Sequence, residues 1–172
     1  MEINIFEAVK KESVLCAEKL RETLCGISKL TEAYVNALPQ TGLMEKADET
    51  AKKKSVARHY KFAQALGERL TVMGEQRTAL LCLSEKLDEL SSKVEFEELE
   101  KISATGRFLF ELMKKIEEIE STSGRFLDGL DRFADTVGKG ENADFRSVAR
   151  LCREYFEFVA NTATYIDNLK FF

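Results

Sequence analysis

The residues best suited to chemistry are one histidine and four cysteines, spread along a chain of 172 residues. His59 lies in AKKKSVARHYKF, residues 51–62, the densest run of positive charge in a chain of net charge −4. An imidazole can serve as a general base, as a metal ligand or as a binding group for an anion. The cysteines, at positions 16, 25, 82 and 152, include no CxxC pair. Each of these roles requires partner residues at a particular spacing.

The spacing of these residues argues against the common metal and nucleophile sites. A di-iron bundle needs paired Glu-x-x-His motifs, whereas this chain has one histidine and Val56 where the glutamate would stand. Zinc sites need clustered ligands, and scattered cysteines on apolar stripes are typical of small core residues. A cysteine nucleophile needs a base, and no feature pairs a cysteine with His59. We predict no catalytic residue, no metal site and no cofactor, and we predict that His59 is a packed core residue.

The elements that position these residues are predicted to be helices. Proline interrupts helices and sheets, and the chain contains a single proline, Pro39. Apolar residues recur with the three-in-seven spacing of bundle helices over about residues 3–38, 43–90, 93–137 and 144–170. The pattern predicts an all-α chain that forms one domain over residues 1–172, an antiparallel bundle of four helices.

The second and third predicted helices are much longer than the other two. We expect them to form a long coiled-coil hairpin whose two-helix end, from Arg77 to Glu111, projects from the four-helix body. The alternative is a compact bundle in which the second helix breaks near Gly67 or Gly74. Glycine weakens a helix interior by about 1 kcal/mol relative to alanine, so both alternatives stay open.

Two helix starts carry recognisable capping patterns. Ser92 followed by Glu95 fits a capping box, in which the serine oxygen accepts from a backbone amide and the glutamate reaches back. Asp144 precedes the fourth predicted helix and is a preferred N-cap residue. We therefore predict that the third helix starts at Ser92 and that the fourth starts at Asp144.

The fourth predicted helix is apolar over more than half of its circumference. A helix packed on one side needs an apolar arc of about 100°. Here one stripe runs from Phe145 to Leu169, and a second stripe follows at seven-residue intervals. Either the bundle itself buries both stripes, or the second stripe binds another chain, and two-fold dimers are the commonest oligomers. We predict a homodimer whose self-association surface is the second stripe: Leu151, Phe158, Tyr165 and Phe172.

Charge is distributed unevenly along the chain. Residues 45–69 hold seven Lys or Arg against four acids, a net +3, and residues 85–120 hold six against eleven, a net −5. Most charge runs of this kind form a solvated helix face. The candidate contacts for an anion or an acidic partner are Lys53, Lys54, Arg58 and Lys61. The net negative charge of the whole chain does not favour nucleic acid as a partner.

These patterns predict a protein that works through its surfaces. We expect a non-enzymatic protein–protein interaction module, such as an adaptor, a chaperone or an assembly subunit. Scattered cysteines and the lack of any apolar segment of roughly 18 residues favour a cytoplasmic location.

A second hypothesis comes from a resemblance. KLTEAYVNALPQ followed by FAQALGERLTVMGEQ resembles the first helices of BAR-type domains. The resemblance implies an elongated dimer that binds curved anionic membranes through basic residues, here Lys52 together with the four candidate contacts named above. The acidic segment at residues 85–120 departs from the basic tips of that family.

Overall fold

The computed structural model describes residues 2–38, 49–141 and 143–169, and nearly all of these residues are helical. The helices are α1 (Glu2–Asn36), α2 (Glu49–Ser91), α3 (Phe96–Gly138) and α4 (Phe145–Asn168). The prediction of an all-α, four-helix bundle is confirmed. The predicted start of the second helix, near residue 43, lies outside the described residues. Within the described ranges, none of the helices has the length and apolarity needed to cross a membrane.

The second helix continues through both of its glycines. Gly67 and Gly74 lie inside the single 43-residue helix α2. The residues just before them, Leu66 and Met73, are fully buried in the core, so tertiary packing stabilises the turns that glycine weakens. The alternative of a break near either glycine is therefore excluded.

Four aromatic rings, one from each helix, connect the helices inside the core. Tyr34 of α1 stacks on Phe62 of α2 with ring centroids 4.6 Å apart. Phe62 meets the edge of Phe126 of α3 at 6.0 Å, and Phe126 stacks on Tyr155 of α4 at 4.1 Å. All four side chains are buried. Such ring pairs add about 0.5–1.5 kcal/mol each beyond the burial of their area.

The contacts of α1 extend to the far end of α2. Phe6 and Glu7 of α1 line a cavity of about 150 Å³ together with Leu90 and Ile102, which flank the turn between α2 and α3. The two-helix end predicted from Arg77 to Glu111 is therefore wrong, because α1 makes a third helix there. Because Tyr34 lies beside Phe62, the first described turns of α2, from Glu49, extend past the end of α1 at Asn36.

The other long helix, α3, is covered by α4 over only part of its length. The Tyr165 hydroxyl donates to a carboxylate oxygen of Glu111 at 2.9 Å, and Ile166 lines a cleft with Phe108. Since α4 ends at Asn168, the first turns of α3 extend past it. α4 therefore covers α3 back to about the level of Phe108.

The turn between α2 and α3 is not closed by a capping box. The N-cap of α3 is Glu95, without a side-chain capping bond. The Ser92 hydroxyl instead donates to the Glu89 carbonyl at 2.8 Å. A serine at the end of a helix can bond to an orphan carbonyl of the preceding turn, and here that local bond replaces the predicted cap. The prediction that the third helix starts at Ser92 is wrong.

The predicted N-cap of α4 is confirmed. Asp144 accepts hydrogen bonds from the Arg146 amide at 2.9 Å and from the Ser147 hydroxyl at 2.8 Å. The bonds from Ser147 and from the Arg146 amide lower the pKa of the Asp144 carboxyl. These bonds satisfy donors that the first turn of a helix otherwise leaves free.

The buried bond between Ser123 and Tyr155 yields the first prediction. The two hydroxyl oxygens are 2.6 Å apart inside the core. We expect Ser123→Ala and Tyr155→Phe each to lower the free energy of unfolding by about 1–3 kcal/mol, because each leaves a buried polar atom unpaired. The double variant should lose less free energy of unfolding than the two single variants lose together. Chemical denaturation of the wild type and the three variants measures this difference.

A control for that cycle is Thr164→Ala. The Thr164 hydroxyl is exposed and bonds only to the Ala160 carbonyl of its own helix, at 3.1 Å, so we expect a change within about 0.5 kcal/mol. Strict additivity of the Ser123 and Tyr155 substitutions would show that the two hydroxyls do not interact.

Candidate functional site

The predicted basic contacts all lie at the start of α2, on its surface. Lys53, Lys54, Arg58 and Lys61 are all exposed. Arg58 already has a partner, because its Nη1 donates to the Ala37 carbonyl at 2.8 Å. A cation there also meets the negative end of the α1 dipole. One of the four basic residues therefore caps α1, whereas the three lysines make no ion pair within the described part of the chain.

The single histidine is buried, as predicted. His59 is 1% exposed, and its Nε2 lies 2.7 Å from Oδ1 of Asp131 on α3. Nδ1 is buried without a hydrogen-bond partner. A neutral imidazole that donates from Nε2 fits this arrangement, because it leaves no buried N–H group unpaired. His59 thus joins α2 to α3 and is closed to substrate.

The cysteines do not have the surroundings of reactive thiols. Burial raises the pKa of Cys152 to about 12, and burial is also the main cause of a raised pKa at Cys16. Cys25 and Cys82 are exposed and free. Nucleophilic cysteines need a lowered pKa or an adjacent base, and His59 is bonded to Asp131 instead. Among the described residues, no group of three or more His, Cys, Asp or Glu could hold a metal ion.

The first stripe of α4 forms part of the core, and the second packs partly against α3. Leu151 is half-buried, and its side chain occupies the space over Gly129. Phe158 is half-buried against the core. Tyr165 is 40% exposed, with the Lys115 Nζ 4.5 Å from its ring centroid. The fourth predicted member, Phe172, lies outside the described residues.

A different surface carries the largest exposed apolar side chains. Phe96 is 88% exposed, Phe110 is 61% exposed and Leu81 is 52% exposed. All three lie on the long helices α2 and α3, outside the surfaces predicted from the sequence. Each of the three lies outside the core stripe of its helix, and this position was a signal that the side chain would be exposed. The signal is weak, because a single apolar residue outside a stripe is common on protein surfaces.

The residues around Arg77 show where this surface lies. The Arg77 Nη2 of α2 lies 3.1 Å from Oε1 of Glu117 on α3. Leu81 follows Arg77 by four residues and therefore shares its side of α2. Phe110 precedes Glu117 by seven residues and therefore shares its side of α3. Leu81 and Phe110 thus flank the same outer groove between α2 and α3, which we call the α2–α3 face.

Comparisons with protein-family models, with curated proteins and with solved structures found no match for this chain.

The pairing of His59 with Asp131 yields the second prediction. We expect Asp131→Ala to lower the free energy of unfolding by about 1–3 kcal/mol, because it leaves a buried N–H group of His59 unpaired. His59→Leu should cost less, since an apolar side chain of similar size leaves no polar group to satisfy. Chemical denaturation of both variants measures the difference. A larger loss in His59→Leu than in Asp131→Ala would show that the packing of the imidazole, and not its bond to Asp131, is its main contribution to stability.

Proposed function

We propose that the protein is a non-enzymatic helical interaction module that binds a second copy of itself. The observation that carries the proposal is the exposure of Leu81 and Phe110 on the α2–α3 face and of Phe96, which precedes Phe110 by two seven-residue repeats on the same side of α3. Large apolar side chains grouped on one face of a folded chain usually mark an interaction surface. The buried histidine and the unactivated thiols are consistent with a role in contact rather than in reaction.

We further propose that the four helices pack antiparallel, with α2 and α3 as a coiled-coil hairpin. The order of the contacts supports this arrangement. Along α1 and α2, Tyr34 meets Phe62 and Gly26 lies against Arg69, so the residue numbers rise on one helix as they fall on the other. The short turn after Ser91 imposes the same order on α2 and α3. A protein of this shape presents a long, straight pair of helices to a partner.

The mass in solution tests self-association and gives the third prediction. We expect analytical ultracentrifugation to show a species of twice the 19.5 kDa of one chain, and the fraction of this species should fall as the protein is diluted. The expected cause is burial of the exposed apolar residues in a dimer. A single species of 19.5 kDa at every concentration would contradict self-association.

A second candidate function is the binding of an anionic membrane surface. The observation that favours it is the exposure of Lys53, Lys54 and Lys61 at the start of α2. Each basic residue near an anionic bilayer contributes about 1 kcal/mol, and a dimer would present two such sets. Phosphatidylserine-containing vesicles are the natural probe of this function.

Vesicle sedimentation provides the fourth prediction, which separates the two functions. If membrane binding is the function, protein should pellet with phosphatidylserine vesicles at low salt and remain in solution at high salt. The triple variant with Glu at positions 53, 54 and 61 should not pellet. If the interaction module is the whole function, wild type and triple variant should both remain in the supernatant at low salt.

A further inference from the structure

We propose that two copies pack through the α2–α3 face, antiparallel to one another, with a two-fold axis crossing the face at the level of Gly74 and Glu117. This inference rests on the proposed self-association and names the surface and the register that it would use. It assigns to the exposed residues of α2 and α3 the role that the sequence pattern assigned to the second stripe of α4.

Two lines of residues at seven-residue spacing make up the α2–α3 face. Residues spaced by seven keep the same side of a helix in a left-handed bundle. The line on α2 consists of Lys53, Tyr60, Gly67, Gly74, Leu81 and Asp88, and Glu95 follows it in the turn. The line on α3 consists of Phe96, Ser103, Phe110, Glu117, Gly124, Asp131 and Gly138. None of these residues is buried.

Contacts between the helices show that the two lines lie side by side. Glu117 and Asp131, both on the α3 line, contact Arg77 and His59 of α2. Arg77 lies between Gly74 and Leu81, the neighbouring members of the α2 line on the same side of the helix. A two-fold axis at the level of Gly74 and Glu117 places the α2 line of one copy against the α2 line of the other copy, which runs in the opposite direction. The two α3 lines meet in the same way.

This rotation places Leu81, Phe96 and Phe110 each opposite an open glycine. A Cβ added at Gly67, Gly124 or Gly138 would meet no atom within 4 Å, so each leaves free space. Each large side chain lies as many residues from the axis as the glycine that it faces. The pairs across the interface are Leu81 with Gly67, Phe110 with Gly124 and Phe96 with Gly138.

The polar members of both lines are also complementary in this register. Lys53 lies at the level of the turn between α2 and α3 of the second copy, which carries the acidic Glu95. Tyr60, which is 61% exposed, stands opposite Asp88, a donor against an acceptor. Ser103 stands opposite Asp131 in the same way. At the axis Glu117 faces its own copy, and its charge is offset there by Arg77.

The glycines themselves point to a partner outside the single chain. Glycine weakens a helix interior relative to alanine, so a helix glycine usually has a packing reason. Gly26 and Gly129 have such a packing reason, because the side chains of Arg69 and Leu151 occupy the space beside them. Gly67, Gly74 and Gly124 have nothing beside them within one chain. A second copy on the α2–α3 face would supply what is missing.

The face is large enough for a stable dimer. Each of its helices has 43 residues, which makes the face roughly 64 Å long at 1.5 Å per residue. A strip of that length and roughly 15 Å wide covers about 1,000 Å², against about 800 Å² per partner in a typical stable interface. Leu81 and Phe110 lie near the middle of the strip, whereas Phe96, Lys53 and Glu95 lie at its ends.

An exchange of the large and the small residue tests the register. We expect Phe110→Ala to weaken dimerisation at least about tenfold by removing an apolar contact. Gly124→Phe should weaken dimerisation similarly, because the new phenylalanine would face Phe110 of the second copy in a space that holds only one ring. The double variant F110A/G124F should recover to within about threefold of wild type, because each phenylalanine again faces a small residue. Sedimentation equilibrium measures the three dissociation constants.

Two controls keep the test interpretable. Gly124 has open space around it, so Gly124→Phe should keep the helical circular dichroism and thermal transition of wild type. Tyr165→Ala changes the second stripe of α4 and should leave the dissociation constant unchanged. If wild type dimerises and only Tyr165→Ala weakens it, self-association stands and this interface is wrong. If F110A/G124F remains as weak as the single variants, the register is wrong.

Cross-linking at the axis gives an independent measurement. In a background of Cys25→Ser and Cys82→Ser, Gly74→Cys places a thiol beside its own symmetry mate. A short bis-maleimide should then yield covalent dimers in high yield. In the same background Thr164→Cys, on α4, should yield few. Equal yields from both positions would overturn the proposed axis.

Discussion

The chain of four aromatic rings is the constraint on which the rest of the structure depends. Tyr34, Phe62, Phe126 and Tyr155 belong to four different helices and contact one another in sequence. Flat, rigid rings have few ways to stack at 4–5 Å, so the contacts set the level of each helix against its neighbour. With Tyr34 level with Phe62, the first residues of α1 necessarily lie beside the turn that follows Ser91. The presence of α1 beside that turn is thus a consequence of a ring stack about 40 Å away. That distance follows from the helical rise of about 1.5 Å per residue.

The register between helices was the part of the fold that the sequence could not supply. Apolar residues at seven-residue spacing predicted the helices and most of their buried residues, including Leu66, Ile116 and Val159. A stripe with that spacing fits its neighbour equally well after a slip of seven or fourteen residues. The predicted pairing of α1 with α2 differs from the observed pairing by about two such repeats. The choice between registers lay in contacts between particular aromatic rings, and no local pattern encodes those contacts.

A similar ambiguity affected the predicted surfaces. The wide apolar arc of α4 was compatible with burial inside the bundle or with a second chain, and the homodimer that we predicted is not tested by the packing of α1 and α3 on α4. The width of an arc gives the number of neighbours but not whether they belong to a second chain. The burial of His59 was easier to predict, because its spacing to Phe62 and Leu66 placed it on the buried side of α2. Its partner Asp131 lies 72 residues away, and only the folded chain brings the two together.

A two-fold interface along a helix leaves a trace in the order of its residues. When a helix packs against its own copy in reverse, the residue n positions before the axis meets the residue n positions after it. Complementarity then requires a small residue for each large one and an acceptor for each donor, at equal distances from one central position. Phe96 and Gly138, Ser103 and Asp131, and Phe110 and Gly124 satisfy this condition about Glu117. Packing within one chain imposes no such symmetry, because α1, α2 and α4 differ from α3 in sequence. The symmetric order on α2 and on α3, about two centres at the same level, therefore supports a second copy more strongly than exposure of the phenylalanines alone.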